Sequence, residues 1–306
     1  METTGNITTV DMAHFDASKK LKVLLTGAKG MLGSDVAEIF RSAGHEVKAY
    51  NRKELDITDK KMCLRAAEDF QPEVIINCAA YTKVDECEKN LETAMSINKT
   101  GAENIAKAAE ICGAYLIHIS TDYVFDGTAS KPYTENDLTC PVNVYGLSKL
   151  GGEDAVKGTC TRYSIIRTSW LFGAKGQNFI KTILKLASER NELKVVNDQC
   201  GCPTYTRDLA KALLFFAHRQ PLGLFHCTNN GSCTWYELAK EALSFSSKDP
   251  NMVKPVSSSA FPRPAKRPAY SVLDNSKFEK MAGFRLRSWK EALRDFCTTS
   301  SSAHGH

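Results

Sequence analysis

Short apolar segments alternate with segments of helical periodicity through the first half of the chain. The apolar segments that we interpret as strands cover residues 21–25, 45–50, 74–78, 115–120 and 163–168. Residues 74–78 are apolar on both faces, as expected of a parallel strand buried between two layers of helices. Residues 87–112 show a helical period that includes Asn98 and Gly101. The alternation predicts a Rossmann-type α/β fold, a doubly wound parallel sheet.

The pattern becomes less regular after Trp170. Helical segments are predicted at 178–189, 206–218, 234–245 and 288–296, and short strands at 193–196 and 224–227. Single helices and strands separated by loops indicate a smaller C-terminal substrate lobe, partly interleaved with the sheet domain and placed over its ligand side. We therefore predict a mobile extension at 1–20, the sheet domain at 21–170 and the lobe at 171–306, of which some segments return to the sheet domain.

Residues 255–268 form the longest predicted connection of this lobe. They are rich in Pro, Ser and basic side chains, including Arg263, Lys266 and Arg267. The segment is too long for a mere connector, which favours a lid or a ligand-binding loop. A flexible, solvated surface loop is the alternative, and the sequence leaves both open.

Composition excludes several classes of partner. The chain has 306 residues, of which 42% are hydrophobic and 25% charged, with a net charge of +5. Because it has no arginine-rich helix and no alternation of basic and aromatic residues, nucleic acid is not an expected partner, whereas a phosphate-bearing ligand suits the small positive excess. No apolar run reaches the roughly 18 to 20 residues of a membrane span, and the N-terminus lacks the apolar core of a signal peptide. We expect a cytoplasmic protein without a membrane partner.

The cysteines do not indicate a metal site or a disulfide framework. They are eleven in number and scattered through apolar or helical segments. The one close pair, Cys200 and Cys202, has no second pair at the spacing of a zinc site. Reduced thiols in a reducing compartment are therefore expected.

A glycine turn follows the first predicted strand. Gly27, Gly30 and Gly33 have G-x-x-G-x-x-G spacing, and a helical pattern begins directly after them. Between a strand and a helix, such glycines allow a tight turn and bring the backbone close to a pyrophosphate at the helix N-terminus. This context predicts a dinucleotide cofactor, with an ordinary strand-to-helix turn as the alternative.

The end of the second predicted strand bears on the choice of cofactor. Folds that prefer NAD usually place an acidic residue there, whereas this chain has Asn51, Arg52 and Lys53. These side chains suit a 2'-phosphate, so NADPH is favoured over NADH, although the two cations are equally compatible with a solvated loop. Asp56 is placed either to bind the adenine amino group or to cap the helix that begins near Lys60.

The arrangement of Thr121, Tyr145 and Lys149 predicts carbonyl reduction. Tyr145 and Lys149 are four residues apart in a predicted helix and so share one face. An ammonium beside a phenol favours the ionised phenol and draws its pKa from about 10 toward neutrality, which makes the tyrosine a proton donor as hydride arrives. Thr121 ends a predicted strand and would hydrogen-bond the same oxygen. Two polar side chains on a helix surface are the alternative interpretation.

Six segments, taken together and in order, resemble the dTDP-4-dehydrorhamnose reductases of the extended short-chain dehydrogenase/reductase superfamily. The resemblance extends from about residue 22 to residue 296. The segments are TGAKGMLG (26–33), NCAAYTKVD (77–85), STDYVFDG (120–127), PVNVYGLSK (141–149), RTSWLFG (167–173) and NDQCGCPT (197–204).

The resemblance implies roles around Tyr145. Tyr145 is implied to be the proton donor, and Lys149 its partner and a ligand of the cofactor ribose. Thr121 is implied to steady the keto oxygen and, with Asp122, to contact the sugar. Trp170 is implied to pack against the sugar nucleotide where it enters the second lobe, with a core tryptophan at a strand end as the alternative.

The resemblance also implies the contacts of the cofactor. They are Gly30, Met31 and Leu32 at the pyrophosphate, Asp56 and Ile57 at the adenine, and Ala80, Tyr81 and Thr82 on the nicotinamide side. Asn51 stands where relatives often have aspartate, so the choice between NADPH and NADH stays open.

Some relatives bridge two subunits with a metal ion held by acidic side chains. Asp35 matches the first such position, but Arg207 occupies the one that follows Pro203 and Thr204. We therefore expect no metal ion and consider dimerisation by that route disfavoured, which leaves a monomer or a homodimer.

The leading functional hypothesis is reduction of the C4 ketone of dTDP-4-dehydro-L-rhamnose to dTDP-L-rhamnose by NADPH or NADH, a step of nucleotide-sugar and cell-surface polysaccharide biosynthesis. The same chemistry on a related UDP-linked deoxy-hexulose is a second hypothesis. A third is a non-catalytic, NADP-binding regulatory subunit like that of methionine adenosyltransferase, since a dinucleotide fold need not be an enzyme. The intact set of Thr121, Tyr145 and Lys149 speaks against the third.

Overall fold

A computed structural model gives the structure of residues 19–302, so the predicted mobile extension lies outside the described residues as far as residue 18. The strands are β1 Lys22–Thr26, β2 Glu46–Tyr50, β3 Val74–Asn77, β4 Tyr115–Thr121, β5 Tyr163–Thr168, β6 Leu171–Phe172, β7 Leu193–Val196, β8 Cys200–Gly201, β9 Thr204–Tyr205, β10 Gly223–His226, β11 Cys233–Thr234 and β12 Val253–Val256. The α-helices are α1 Met31–Ser42, α2 Lys60–Phe70, α3 Val84–Lys89, α4 Leu91–Met95, α5 Gly101–Cys112, α6 Val144–Thr159, α7 Phe179–Glu189, α8 Thr206–Arg219, α9 Trp235–Phe245, α10 Ser276–Ala282 and α11 Trp289–Ser302. Across residues 19–302, every helix lacks the length or the apolar character that a membrane-spanning segment requires.

Six strands form one parallel sheet at the centre of the molecule. Their order is β2-β1-β3-β4-β5-β10, and every neighbouring pair is parallel. β3 and β4 are buried along their whole length, because a central parallel strand has helices on both faces. The predicted Rossmann-type fold is confirmed, and each predicted strand matches the observed one to within one residue at either end.

Two layers of helices enclose the sheet. α1 and α8 cover one face, and α2, α5 and α6 cover the other. α8 carries Leu209, Leu213 and Phe216 at the three- and four-residue spacing of a buried helix face, and these side chains share one core with Phe40 of α1 and Ile117 of β4. α6, which carries the predicted proton donor, therefore lies on the face opposite α8.

The chain after β5 contributes both to the sheet and to a smaller lobe. β10 pairs with β5 and α8 packs against α1, so these elements return to the sheet domain. α7, α9 and α11 enclose apolar cores of their own, and β12 pairs with β7 beside them. The predicted domain boundaries stay a prediction, but the chain crosses between the two parts more than once after residue 170.

Residues 87–112 are not the single helical segment that their periodicity predicts. Asn90 separates α3 from α4, and a π-helical turn, Ser96–Thr100, then joins α4 to α5. A π-helical turn adds one residue to a helical turn and re-aims the side chains within it. Asn98, inside this turn, is 1% exposed and uses its amide for contacts outside the helix, which local periodicity cannot predict.

We predict that Leu213→Ala lowers the free energy of unfolding by about 2–5 kcal/mol, because it leaves a cavity where α8 packs on the sheet. Leu213 is fully buried, whereas Leu222, just beyond α8, is 61% exposed. Leu222→Ala is the matched control and should change stability by no more than about 0.5 kcal/mol. Chemical denaturation of both variants measures the difference, and equal midpoints would contradict the packing described for α8.

Candidate active site

The glycine turn between β1 and α1 leaves no room for side chains. Gly27 has a φ of +69°, and a Cβ there would lie 2.7 Å from the backbone nitrogen of Ala79. A Cβ on Gly33 would collide with the carbonyl oxygen of Gly27. α1 begins directly after Gly30, which provides no capping side chain, so the first amides of the helix are open to an anion. The turn therefore fits the pyrophosphate of a dinucleotide.

The segment after β2 lies beside this turn. The backbone amide of Asn51 donates to Glu54 at 2.8 Å, and the side chain of Asn51 accepts from the amide of Lys53 at 2.9 Å. Arg52 is exposed and lies 3.8 Å from the carboxylate of Asp56. A cavity of about 550 Å³ adjoins Asn51 and the glycine turn, so an extended ligand has space along this edge.

Asp56 does not cap the following helix, and that alternative interpretation is wrong. Asp59 caps α2 by accepting from two of its first backbone amides. Asp56 instead accepts from the amide and the hydroxyl of Thr58, at 3.0 and 2.8 Å. Ile57 is buried against Gly101, where a Cβ would lie 2.6 Å from the Ile57 side chain. The adenine contacts of Asp56 and Ile57 stay a prediction.

Asn98 fixes the segment that is predicted to contact the nicotinamide, namely Ala80, Tyr81 and Thr82 after β3. The side-chain oxygen of Asn98 accepts from the amide of Tyr81 at 2.8 Å, and its NH₂ group donates to the Tyr81 carbonyl at 3.1 Å and to Ser148 of α6 at 2.9 Å. The sequence pattern did not predict this role. The signal that could have indicated it is an asparagine inside a helical segment, where this residue type is unfavourable.

The first turn of α6 places Tyr145 against the end of β4. Asn143 caps the helix by accepting from the amide of Gly146 at 2.8 Å. Gly146 lies so close to the Tyr123 carbonyl that a Cβ would collide with it. The rings of Tyr145 and Tyr123 pack edge to face with centroids 5.7 Å apart. The helix thus brings the Tyr145 phenol close enough to the side chain of Thr121 for the threonine hydroxyl to affect the pKa of the phenol.

Burial sets the charge states of the Tyr145–Lys149 pair. It raises the pKa of the Tyr145 phenol; the nearby hydroxyl of Thr121 opposes this rise and the carboxylate of Asp122 adds to it. Burial also lowers the pKa of Lys149 to about 8. The Lys149 ammonium donates to the carbonyl of Ile119 at 2.6 Å. The expectation that Lys149 draws the phenol pKa toward neutrality is therefore wrong for this arrangement, because desolvation dominates.

Cys78, at the end of β3, connects the glycine turn to the Tyr145–Lys149 pair. Its backbone lies against Gly27, where an added Cβ would be 2.7 Å from the Cys78 carbonyl. Its thiol faces Lys149 closely enough to affect the pKa of the ammonium. The pair therefore lies along the same edge of the sheet as the open turn.

Trp170 lies at the entrance to the smaller lobe in a strained backbone conformation. Its φ is +46°, which a bulky side chain rarely adopts. Its indole stacks on Trp235 with centroids 3.5 Å apart and an angle of 4°. It also fills the space where Gly201 would otherwise carry a Cβ. Trp170 is thus packed between two elements of the lobe, and its contact with substrate stays a prediction.

A cavity of about 750 Å³ opens between α7, β7 and the segment after β12. Tyr123 and Trp235 line it, and Tyr123 in turn contacts Tyr145. Basic and apolar side chains make up much of the remaining lining: Arg190, Lys194, Arg263 and Arg267 among the first, and Leu186, Val195 and Phe261 among the second. Apolar surface with several cations suits a ligand that has both a ring system and phosphate groups.

The segment 255–268 is anchored to the catalytic region rather than being free in solvent. Arg267 forms a bidentate ion pair with Asp85 of α3, at 2.6 and 2.9 Å. Asn143, the cap of α6, donates to the carbonyl of Lys266 at 2.8 Å. The interpretation as a solvated surface loop is therefore wrong for its second half, whereas closure over a ligand stays a prediction.

The acidic position that matches a metal ligand of some relatives is used otherwise in this chain. Asp35 accepts a hydrogen bond from the hydroxyl of Thr206, and Glu38 pairs with Arg207 at 3.1 Å. Between residues 19 and 302, no three side chains of His, Cys, Asp or Glu are grouped so that they could hold a metal ion.

The parallel sheet, the open glycine turn and the Tyr145–Lys149 pair beside Thr121 define the class of NAD(P)-binding oxidoreductases of the short-chain dehydrogenase/reductase type. A family model described as the RmlD substrate binding domain matches residues 21–302. The chain belongs to this family.

Relatives of known name support this assignment. A dTDP-4-dehydrorhamnose reductase of Streptomyces griseus is 43% identical over 280 residues, 89% of this chain and 91% of the relative. The spore coat polysaccharide biosynthesis protein SpsK of Bacillus subtilis is 43% identical over 283 residues, 92% of this chain and 99% of the relative. The solved structure of a dTDP-4-dehydrorhamnose reductase of Bacillus anthracis in complex with NADP has a TM-score of 0.89 at 41% identity and covers 92% of this chain and 100% of that chain. The family resemblance predicted from the sequence is confirmed.

We predict that Gly33→Ala weakens NADP binding by roughly tenfold or more, since an extra carbon in a packed site costs about 1–3 kcal/mol and here would push apart the turn that receives the pyrophosphate. Gly158→Ala, in α6, is the matched control, because a Cβ there meets nothing within 4 Å. Calorimetric titration with NADP measures both affinities. Equal affinities would show that the turn does not hold the cofactor.

Proposed function

We propose that this protein is a dTDP-4-dehydrorhamnose reductase, which reduces the C4 ketone of dTDP-4-dehydro-L-rhamnose to dTDP-L-rhamnose, with NADPH as the preferred cofactor. Thr121, Asp122 and Tyr145 lie close together, and Tyr145 packs against Tyr123, which lines the 750 Å³ cavity with its basic side chains (hereafter the basic cavity). This arrangement is the observation that carries the proposal. The printed names of the relatives agree with it. The product is an activated sugar for cell-surface polysaccharide synthesis.

The glycine turn and its neighbours would hold the cofactor. Their predicted contacts are Gly27, Gly30, Met31, Leu32 and Gly33 with the pyrophosphate, Asn51 and Arg52 with the adenosine ribose and its 2'-phosphate, Asp56 and Ile57 with the adenine, Ala80, Tyr81 and Thr82 with the nicotinamide, and Tyr145 and Lys149 with the other ribose. When bound, the nicotinamide supplies the hydride that the ketone carbon receives. NADPH is favoured because β2 is followed by Asn51 and Arg52 rather than by an acidic side chain.

In this proposal Tyr145 donates the proton to the ketone oxygen. Because burial raises the pKa of its phenol, the hydroxyl is protonated at neutral pH and available for donation. The hydroxyl of Thr121 can hydrogen-bond the same oxygen and stabilise the alkoxide as charge develops. The Lys149 ammonium supplies positive charge for the phenolate that remains after the transfer.

The basic cavity suits the nucleoside diphosphate part of the substrate. Arg263 and Arg267 can pair with the diphosphate, and the apolar lining can receive the thymine ring. The hexose would then lie toward Tyr123 and Tyr145, with Asp122 and Trp170 as its neighbours. In this arrangement, contacts with the nucleotide supply the binding energy, and the ketone lies beside the proton donor.

The test is to follow nicotinamide absorbance with dTDP-4-dehydro-L-rhamnose and to offer NADPH and NADH separately. We expect oxidation of the cofactor with formation of an equal amount of dTDP-L-rhamnose, and a higher kcat/KM with NADPH. A UDP-linked 4-keto-6-deoxyhexose is the comparison substrate, and a preference for it would overturn the assignment of the nucleotide. Tight binding of NADP, with no oxidation of NADPH or NADH in the presence of any of these sugars, would indicate a non-catalytic protein instead.

We predict that Tyr145→Phe lowers kcat on the order of a hundred- to ten-thousand-fold, because it removes the proton donor and little else. Affinity for NADP should stay within about twofold of the original, since the ring is retained. Tyr163→Phe, on β5, is the control and should leave kcat unchanged. Single-turnover kinetics and cofactor titration measure the two effects, and a near-normal rate for Tyr145→Phe would exclude this mechanism.

We predict that Asp85→Asn raises KM for the nucleotide sugar about tenfold and leaves kcat within about twofold, because it releases Arg267, which lines the cavity. Asp69→Asn is the control, since Asp69 belongs to an exposed pair with Arg65 on α2. Steady-state kinetics with saturating NADPH give both constants. An unchanged KM would mean that Arg267 does not bind the substrate.

A further inference from the structure

Helix α6 carries a second buried ionisable residue, Glu153, one helical turn after Lys149. Its side chain is 0% exposed. Its carboxylate accepts from Arg167 of β5 at 2.8 and 2.7 Å and from the hydroxyl of Ser120 of β4 at 2.6 Å. Lys157, at the edge of this cluster, lies 3.5 Å away. Nothing in the proposed reaction requires a carboxylate at this depth.

Lys149 and Glu153 form hydrogen bonds with consecutive residues of the same strand, β4. Lys149 donates to the carbonyl of Ile119, and Glu153 accepts from the side chain of Ser120. The next residue of β4 is Thr121. Two successive turns of α6 are therefore attached to the strand directly before the residue that meets Tyr145.

Glu153 also lies four residues after Lys149 on α6, and both side chains are buried on the same face of the helix, so the carboxylate acts on the ammonium. In the described part of the chain, the other titratable groups that act on this ammonium are the Cys78 thiol, just after β3, and the His118 imidazole on β4. Burial raises the pKa of Cys78 to about 12 and lowers the pKa of His118 well below its usual value, so both are neutral near pH 7. Burial lowers the pKa of Lys149, and the Glu153 carboxylate opposes that effect more than Cys78 does.

Stability alone is a weak reason for this cluster. Desolvating a carboxylate and a guanidinium costs several kcal/mol per ion, and well-packed apolar residues of similar volume often serve a fold equally well. Here the cost is greater because one terminal nitrogen of Arg167 is buried without a hydrogen-bond partner. The cluster lies where β4, β5 and α6 meet, directly behind the proton donor.

We propose that Glu153 is a positioning residue of the reductase, the internal counter-charge that retains the Lys149 ammonium in the site and ties α6 to the end of β4. Arg167 and Ser120 orient its carboxylate. This inference rests on the proposed function, because the reaction gives the ammonium its purpose.

The inference has a consequence for pH dependence with a definite sign. The Glu153 carboxylate favours the protonated ammonium, so removing it lowers the pKa of Lys149, by about one to two units if it acts as an ordinary neighbouring charge. Reduction requires the charged Lys149, so activity falls as pH rises through this pKa. Without the carboxylate, the alkaline limb of the pH–kcat profile therefore moves to lower pH by the same amount.

The test compares four variants with the original protein. Glu153→Gln combined with Arg167→Met removes the carboxylate without leaving the Arg167 guanidinium as a buried cation that has lost its partner. Glu153→Gln alone also removes the carboxylate and serves if the double variant does not fold, and Glu153→Asp retains the charge and is the conservative variant. Asp154→Asn, at a position 68% exposed on the same helix, is the control for loss of one carboxylate.

Two readouts separate the outcomes. The first is the pH–kcat profile, in which Glu153→Gln should lose its alkaline limb about one to two units earlier and the double variant, which also loses the Arg167 cation, by a smaller amount, whereas Glu153→Asp and Asp154→Asn keep the original limb. The second is the pKa of Lys149 in the protein without ligands, measured by NMR of isotope-labelled lysine and assigned with Lys149→Met. A folded double variant with the original limb and the original Lys149 pKa would reduce Glu153 to a structural residue and overturn the proposal.

The NMR titration also separates this inference from the proposed function. If the original protein oxidises NADPH with none of the nucleotide sugars, the reductase assignment fails, and Glu153 has no reaction in which to act as a positioning residue. The lysine titration still reports the counter-charge in that case. If turnover is present and the Lys149 pKa is the same in the Glu153→Gln and original proteins, the counter-charge fails while the reductase stands.

Discussion

The close approach of α6 to its neighbours is the constraint on which the active site depends. Gly146 lies against the carbonyl of Tyr123 on one side, and Gly152 lies against the carbonyl of Asn98 on the other, so that a Cβ at either position would collide with backbone. Backbone contacts of this kind cannot be relieved by a change of rotamer. They fix the depth of the helix between β4 and the π-helical turn, and with it the position of the Tyr145 hydroxyl. A proton donor needs such rigidity because its hydrogen-bond geometry decides whether transfer occurs.

A buried polar layer supports the same edge of the sheet. Thr26, Asn77 and His118 are directly opposite one another on β1, β3 and β4, and each is 1% exposed. The hydroxyl of Thr26 donates to Asn77 at 2.7 Å, and the amide of Asn77 lies 3.2 Å from the ring nitrogen Nδ1 of His118. Asn77 also accepts from the amide of Ala79, which directly precedes the predicted nicotinamide segment. Hydrogen bonds in a low-dielectric interior are strong, so these bonds join β1, β3 and β4 into one layer beneath the cofactor side, although Nε2 of His118 is buried without a partner.

The sequence was informative where the chemistry is local. Tyr145 and Lys149 are one helical turn apart, and the glycine turn is a contiguous motif, so both could be predicted from spacing. The contacts that hold these groups join distant parts of the chain: Asp85 pairs with Arg267 across 182 residues, and the side chain of Asn98 reaches the backbone of Tyr81 from inside a helix. The return of α8 and β10 to the central sheet could not be predicted for the same reason. Periodicity shows that a segment is buried, but it does not show which element the segment packs against. Desolvation could not be predicted either, since the burial of a group depends on the whole fold.

This last point changes how the Tyr145–Lys149 pair is understood. A sequence shows an amine near a phenol and suggests an ionised tyrosine, but burial raises the pKa of the phenol and the ammonium donates to the carbonyl of Ile119. A neutral phenol beside a charged ammonium is an advantage for a reduction, because the donor must carry its proton until the ketone oxygen becomes an alkoxide. An alkoxide is far more basic than a phenolate, so the transfer remains favourable even from a phenol whose pKa is raised. The positive charge then matters most after the transfer, when the phenolate remains in a poorly solvated site. A lysine that is itself buried interacts with that phenolate more strongly than one in water would, which explains why the ammonium is held inside the fold at the cost of its own hydration.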